Sequence, residues 1–299
     1  MPVVIEMSVL KELEKHPEIA FEDITKLREW IRSQPHLPHE YITDLDIILA
    51  YHSCERNMNN TKKVIDCNFT LRTLFSFYQD RKVNTAVENA LRTWLITPLK
   101  TKSIKEDRAI YCQLLDADTS KFVYSDVVRA FVMIVDLWQL EEGTAPGVVV
   151  IVNMDRVSPG HLYKIDLVVA QQFFYFLQEA MFVRLKEFHF INAPSFIDRL
   201  LFMVKPFMKE DLLHKLKVHT VGSNTLDEYI DTTEFFKEVA EISSEGERDI
   251  MWNRLKENTK YFEEESKKRV DETKRLDKSV SMGNIFSGME ETFRSLEID

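Results

Sequence analysis

A chain of 299 residues with a net charge of −10 is not built to neutralise many nucleic-acid phosphates across a broad surface, so no nucleic-acid partner is expected. Its 44% hydrophobic and 29% charged residues exclude fibrous and disordered classes, and the length allows two units around a sizeable core. With only 7 glycines and 3 cysteines, Cys54, Cys67 and Cys112, the chain matches no phosphate loop, disulfide framework or zinc spacing, so reduced thiols and no metal are expected.

The first sixteen residues carry Glu6, Lys11, Glu12, Glu14 and Lys15 and no apolar run of secretory type. No stretch approaches the roughly 20 apolar residues of a membrane span, and a cytoplasmic location follows as the expectation. From about residue 8 to 97 helical spacing recurs. Ile24, Leu27, Trp30 and Ile31 share one face before Pro35 and Pro38, and Leu45, Ile48, Leu49 and His52 share the next. Beyond the polar break Asn57 to Asn60, a longer helix is predicted from Thr61 to Gln79.

The period changes near Arg108. Ala109 to Leu115 reads as a strand, Ser125 to Leu140 as a helix, and Gly147 to Asn153 as a second, wholly apolar strand. Asp166 is placed to cap a helix reaching Met181, a third strand spans Lys186 to Asn192, and Leu216 to Val221 closes the sheet. Apolar strands joined by helical crossovers need cover on both faces, so an α/β layer with a mixed, mostly parallel sheet is predicted. After Ser243, Glu263 to Glu265 precede Lys267 to Arg269 by four residues and Asp271 precedes Arg275. That spacing predicts a solvated helix stabilised by ion pairs. Ile285, Phe286, Met289 and Phe293 are then expected to dock on the body.

No G-x-G-x-x-G, Walker-type, H-E-x-x-H or G-x-S-x-G motif occurs, and no acid–base dyad can be named, so no catalytic residue and no cofactor are expected. His189 and His219 read as core or sheet-end residues. A surplus of large apolar side chains instead surrounds the second half of the sheet, from Phe173-Phe174-Tyr175-Phe176-Leu177 through Phe188 and Phe190 to Leu200-Leu201-Phe202-Met203-Val204. Two readings are open: a core packed to ordinary density, or a ligand cavity of about 300–1,000 Å³.

Gly147 to Asp155, then His189-Phe190-Ile191-Asn192-Ala193-Pro194, then Phe202 to Met208 resemble the CRAL-TRIO lipid-binding family, which includes tocopherol-transfer and retinaldehyde-binding proteins. The family order is G-x-x-x-I-x-D/N, then I/F-H-x-I/L-N-x-P, then a helix ending I/V-K-P-F. The likeness covers roughly Lys100 to Lys237. A weaker one joins Asp44 to Arg81 to the family's helical N-terminal domain, and Phe286 to Asp299 is similar to the tail of insect members. The chain departs from the pattern at Glu238-Val239-Ala240-Glu241, where the family carries an E-Y-G-G turn.

The resemblance implies an all-helical domain over 1–98, a CRAL-TRIO lipid-binding domain over 99–247, and a charged helix with a docking tail over 248–299. It implies a non-enzymatic carrier for a small hydrophobic ligand of the retinoid, tocopherol or carotenoid class, in transient peripheral contact with membranes. Matching pocket positions are Val148, Val152, Ile165, Phe173, Phe176, Leu177, Met181, Val183, Leu185 and Phe188. The helix from about Pro194 to Phe207 would be a mobile gate, and its own spacing agrees, since Ile197, Leu200, Leu201, Val204 and Phe207 form one apolar stripe. Arg184, Lys186 and Lys215 match phosphoinositide-contacting positions of tocopherol-transfer relatives, and Lys205 belongs to K-P-F. Tyr111, Tyr163, Tyr175 or Ser158 could bind a ligand hydroxyl. The alternative is a phosphoinositide-sensing or scaffold module with a filled core.

Overall fold

In the computed structural model, which describes residues 3–79, 81–243 and 249–276, α2 (Phe21–Ser33) and α3 (Asp44–Ser53) pack through Ile24, Leu27, Ile31, Leu45 and Ile48, and α1 (Val9–Lys15) adds Val9 and Leu13. α3 begins at a reciprocal cap in which the Thr43 hydroxyl accepts from Asp46 N and the Asp46 carboxylate accepts from Thr43 N. Asn57 caps α4 (Met58–Leu74). The spacing predicts one helix to Gln79, but it breaks at Phe75, where an extended backbone with ψ 136° carries the ring into the core. α5 (Ser76–Gln79) and α6 (Thr85–Thr93) follow.

A 5-stranded sheet in the order β1-β2-β3-β4-β5 organises the next part. β1 (Trp94–Lys102) pairs antiparallel with β2 (Arg108–Leu114); β3 (Val148–Asn153), β4 (Leu185–Ala193) and β5 (Leu216–Thr220) continue it in parallel. The crossovers are α7 (Tyr124–Glu142), then α8 (Pro159–Leu162) with α9 (Leu167–Glu179), then α10 (Ile197–Val204) with α11 (Glu210–Lys215). Asp166 caps α9 as expected, accepting from Val168 N and Val169 N. β1 was not among the predicted strands. Pro98 demotes the run as a strand, yet β1 lies at the sheet's edge, where a missing N–H is tolerated.

Alternation along the strands gives each face its own core. Ile110, Cys112, Val150, Val152, Phe188 and Phe190 face α7, α9 and α10. Ala109, Tyr111, Val149, Ile151 and Ile191 face Leu226, Ile230 and Phe235, the last on α12 (Thr232–Ile242). His189 and His219 are buried sheet residues, 2.9 Å apart between Nδ1 and Nε2 and packed on Tyr229. Burial lowers His189 to about 4. Glu238 lies in α12, not in a turn, and its carboxylate accepts from Lys100 N at 2.7 Å and Thr101 N at 2.9 Å.

The C-terminal charges are solvated only in part: Glu263, Glu264 and Lys267 are exposed as their spacing predicts, and the others are not. After α13 (Ile250–Glu257), α14 (Thr259–Glu265) stops before the basic run, and Glu265, Lys268 and Arg275 are buried. Helical spacing registers only partners on one helix, whereas carboxylates on other elements offer these cations stronger pairing away from water. Arg72 Nη1 reaches Asp136 Oδ2 at 3.1 Å and Glu265 Oε2 at 2.9 Å, and Arg81 Nη2 reaches Asp136 at 2.7 Å. Lys268 Nζ lies 2.7 Å from Asp46 Oδ2 and also contacts Glu265. Arg275 pairs with Asp66 at 2.7 Å and donates to Thr70 Oγ1 at 2.6 Å. This ionic clasp joins α3, α4, α7 and α14. The expected docking segment around Phe286 lies outside the described residues.

Burial alone would raise the Glu265 carboxyl, but Lys268, Arg72 and Arg81 outweigh it and hold the group at about 2, below its ordinary 4.5. A depressed carboxylate contributes its stability fully above the ordinary value and loses it as pH falls toward the depressed one. Unfolding free energy, followed by urea titration, should therefore drop between pH 4.5 and 2, and Glu265→Gln should flatten that slope. An unchanged slope in the variant would refute the assignment.

Candidate functional site

Between the sheet and its helical cover lies a cavity of about 160 Å³. Its floor comes from Ile96, Cys112, Val150, Val152, Phe188 and Phe190, and its cover from Val128 and Phe131 of α7, Phe173 of α9, and Leu200 and Val204 of α10. Edge-on rings, Phe131 to Phe173 at 5.5 Å, stiffen the cover. The interior is therefore not packed solid, although the space is smaller than the size expected from the sequence. One water needs about 10–15 Å³ of such volume, so the space is far larger than a single water requires.

α10 is apolar on two sides. Ile197, Leu201 and Val204, with Phe207 in the following turn, are buried, and half-buried Leu200 meets the cavity. On the outer side Phe202 is 82% exposed, and Tyr163, Leu167 and Val168 beside the cavity-lining Leu162 and Ile165 are exposed as well. Scattered exposed apolar residues are ordinary, but these flank lining positions in sequence, Phe202 between Leu200 and Val204 and the others around Leu162 and Ile165. The far end of the helix is latched to α9: Gln178 Nε2 donates to Phe207 O at 3.0 Å, and Gln178 Oε1 accepts from Lys209 N at 2.6 Å.

Of the pocket positions matched in the sequence, the structure brings Val152, Ile165, Phe173 and Phe188 to this cavity. Phe176 instead packs on Phe77 and Tyr78, and Val148 borders a small hollow beside Trp138. Leu177, Met181, Val183 and Leu185 line a separate polar hollow of about 550 Å³, which also holds Arg184, Lys186 and Lys215. Most cations there have partners. Arg184 Nε donates to His52 O at 2.8 Å, Lys215 pairs with Asp211 at 2.5 Å, and Lys209 pairs with Glu179 at 2.5 Å. Lys186 and Lys205 are exposed.

The sequence reading missed Trp94, Cys112, Phe122, Tyr124, Phe131 and His161, all of which line the cavity. They come from β1, β2, the connection before α7, α7 itself and α8, while the aromatic surplus drew attention to α9 and β4. The alternation in Trp94-Leu95-Ile96-Thr97 was the available signal. None of the proposed hydroxyl anchors lines the cavity: the Tyr111 hydroxyl accepts from Asn153 on the other sheet face, Tyr163 is 85% exposed, Tyr175 is half-buried elsewhere, and Ser158 is bonded to His161.

A helix-covered, mostly parallel sheet with an apolar cavity beneath the helices is an arrangement that can hold an apolar molecule. Residues 98–239 match the family described as CRAL/TRIO domain, and residues 16–86 match the one described as Pinta-like, UBA domain. Residues 98–239 are thus a CRAL/TRIO domain, which is a lipophilic-ligand-binding and transfer domain. Human "Alpha-tocopherol transfer protein-like" is 22% identical over 241 residues, covering 72% of this chain and 64% of that protein. "Clavesin-1" of Xenopus laevis is 22% identical over 232 residues, covering 77% and 70%. The chain thus spans about 64% of the length of the tocopherol-transfer-like relatives. A solved structure titled "Crystal structure of Sfh5" aligns with TM-score 0.42 at 15% identity, covering 70% of this chain and 83% of that one. No helix of the described residues is long and apolar enough to cross a membrane.

Proposed function

We propose that the chain carries a small hydrophobic ligand in the cavity beneath α10 and exchanges it at membrane surfaces from the cytoplasm. The observation that carries this reading is an apolar cavity whose cover includes α10, a short helix that also presents Phe202 to solvent. Among the retinoid, tocopherol and carotenoid classes, the small volume favours the most compact, the retinoid. Moving such a ligand from bilayer to cavity exchanges one hydrocarbon surrounding for another, so equilibrium cost is small and the helix sets the rate. Opening α10 in water exposes Leu200, Leu201 and Val204 at about 25 cal/mol per Å². A bilayer accepting Phe202 and that face offsets the cost, so opening belongs at the membrane.

Native extraction and mass spectrometry of the purified chain should return a stoichiometric apolar molecule. Its release should accelerate with added vesicles, and Phe202→Asp should reduce vesicle binding at least ten-fold, since burying a phenylalanine stabilises by about 1.5–3 kcal/mol. Equal release with and without vesicles would defeat the gating reading. The pairing of Arg184, Lys209 and Lys215 leaves exposed Lys186 and Lys205 as the cations for anionic headgroups, in a docking role secondary to the carrier.

A further inference from the structure

The two ends of α10 are held in different ways. At its exit the Gln178 side chain grips the backbone on both sides of Met208: Nε2 donates to Phe207 O at 3.0 Å, and Oε1 accepts from Lys209 N at 2.6 Å. Nε2 also donates to Phe174 O at 2.7 Å, so both amide protons are engaged and the clamp is fixed against α9. The next residue, Glu179, pairs with Lys209 Nζ at 2.5 Å. Phe207, Met208 and Leu212 of α11 are buried beyond it. Pro206 has no amide hydrogen and Met208 is extended, with ψ 130°, so α10 cannot run on rigidly into α11. A fixed exit and a joint therefore coincide. The entry lacks such ties. Phe196, at the N-cap, makes no side-chain hydrogen bond to the first turn, and among the described residues no side-chain hydrogen bond or ion pair joins residues 194–204 to the body. The buried Ile197, Leu201 and Val204 seat the helix by apolar contact. Pro194 to Phe196, which span up to about 10 Å when extended, leave that end slack.

A bilayer acts on these two kinds of tie in opposite ways. Ile197, Leu201 and Val204 exchange one hydrocarbon surrounding for another at small cost. Hydrogen bonds instead strengthen where water is scarce, and breaking the clamp would leave Phe207 O and Lys209 N without partners. We propose that α10 opens as a flap that pivots about Gln178: the Ile197 end lifts while the stretch from Phe207 to Lys209 stays on α9. The proposal rests on the reading of α10 as the gate, and adds its direction of opening, its hinge and the residue that holds the hinge. Gln178 borders the polar hollow and not the cavity, so it is a positioning residue that acts on the ligand only through α10.

The test is a pair of distances between nitroxide labels on the full chain, read by pulsed electron spin resonance. Cys54→Ser leaves only the buried Cys67 and Cys112 as native thiols. One label goes on exposed Asp198 near the entry and, in a second sample, on exposed Glu210 just past the clamp, each measured against a label on exposed Lys63 of α4. With vesicles of phosphatidylcholine and phosphatidylserine, the Asp198 label should move by roughly 6 Å, the result of tilting a helix about 12 Å long by about 30°, and the Glu210 label should stay. Equal movement of both labels would overturn the pivot and leave the gate standing. No movement of either would remove opening at the membrane, and the pivot with it. Gln178→Leu should free the Glu210 label to move as well, whereas Gln178→Glu, which keeps an acceptor for Lys209 N, should hold it in place. A Glu210 label that stays put in folded Gln178→Leu would show that the clamp does not hold the exit. If that variant misfolds, the two distances with Gln178 intact decide the pivot.

Discussion

Arg72→Met should destabilise the folded chain by about 3–5 kcal/mol, the largest loss expected of any single change outside the apolar core. The Arg72 side chain is 5% exposed, bridges Asp136 and Glu265, donates from Nε to Asn68 Oδ1 at 2.7 Å, and stacks 5.0 Å from the Tyr78 ring. Arg72, Arg81 and Lys268 balance Asp136, Glu265 and Asp46, so one deletion leaves a net buried negative charge. Removing a carboxylate as well, in Arg72→Met with Asp136→Leu, should recover part of the loss, because the uncompensated charge is worse than the absent pair. Urea denaturation of the two variants checks this. A single-variant cost below about 1 kcal/mol, typical of a solvent-exposed pair, would show that the clasp is hydrated and weak.

The second large effect is expected at Val152→Phe. In a filled core an added ring costs about 1–3 kcal/mol, but Val152 borders empty space and is only half-buried. The variant should therefore melt within a few degrees of the parent while the apolar molecule co-extracted with the parent falls below about one tenth, as the ring takes the ligand's place. A marked fall in melting temperature with undiminished co-extraction would mean that the ligand sits elsewhere. The polar hollow beside Leu177, Met181 and Leu185 would then be the next place to look.

The parallel strands were legible because wholly apolar runs such as Val148 to Val152 tolerate no exposed face. α9 was legible from Asp166 and the aromatic run behind it. β1 was not, because Pro98 breaks the local strand signal and only its edge position reconciles the two. The inward stripe of α10 could be read from spacing alone, whereas periodicity could not separate Phe173, which meets the cavity, from Phe176, which meets Phe77 and Tyr78. Those two residues differ by less than one helical turn, and the element standing opposite each of them is set by the tertiary fold. The charges after Glu263 misled for the same reason, since Asp46, Asp66 and Asp136 are remote in sequence. His161 escaped notice because one histidine next to a serine, a proline and a glycine reads as a turn.

The grip of Glu238 on β1 bears on the behaviour of many copies together. An outermost strand ordinarily offers a row of free amides to any neighbour, the first step of edge-to-edge polymerisation. Here Pro98 has no amide hydrogen, and those of Lys100 and Thr101 end on a carboxylate of the same chain. A second molecule approaching this rim meets negative charge where it would need donors. Sheet growth in this direction is thus opposed by the residue that stands where the family's glycine-bearing turn would begin.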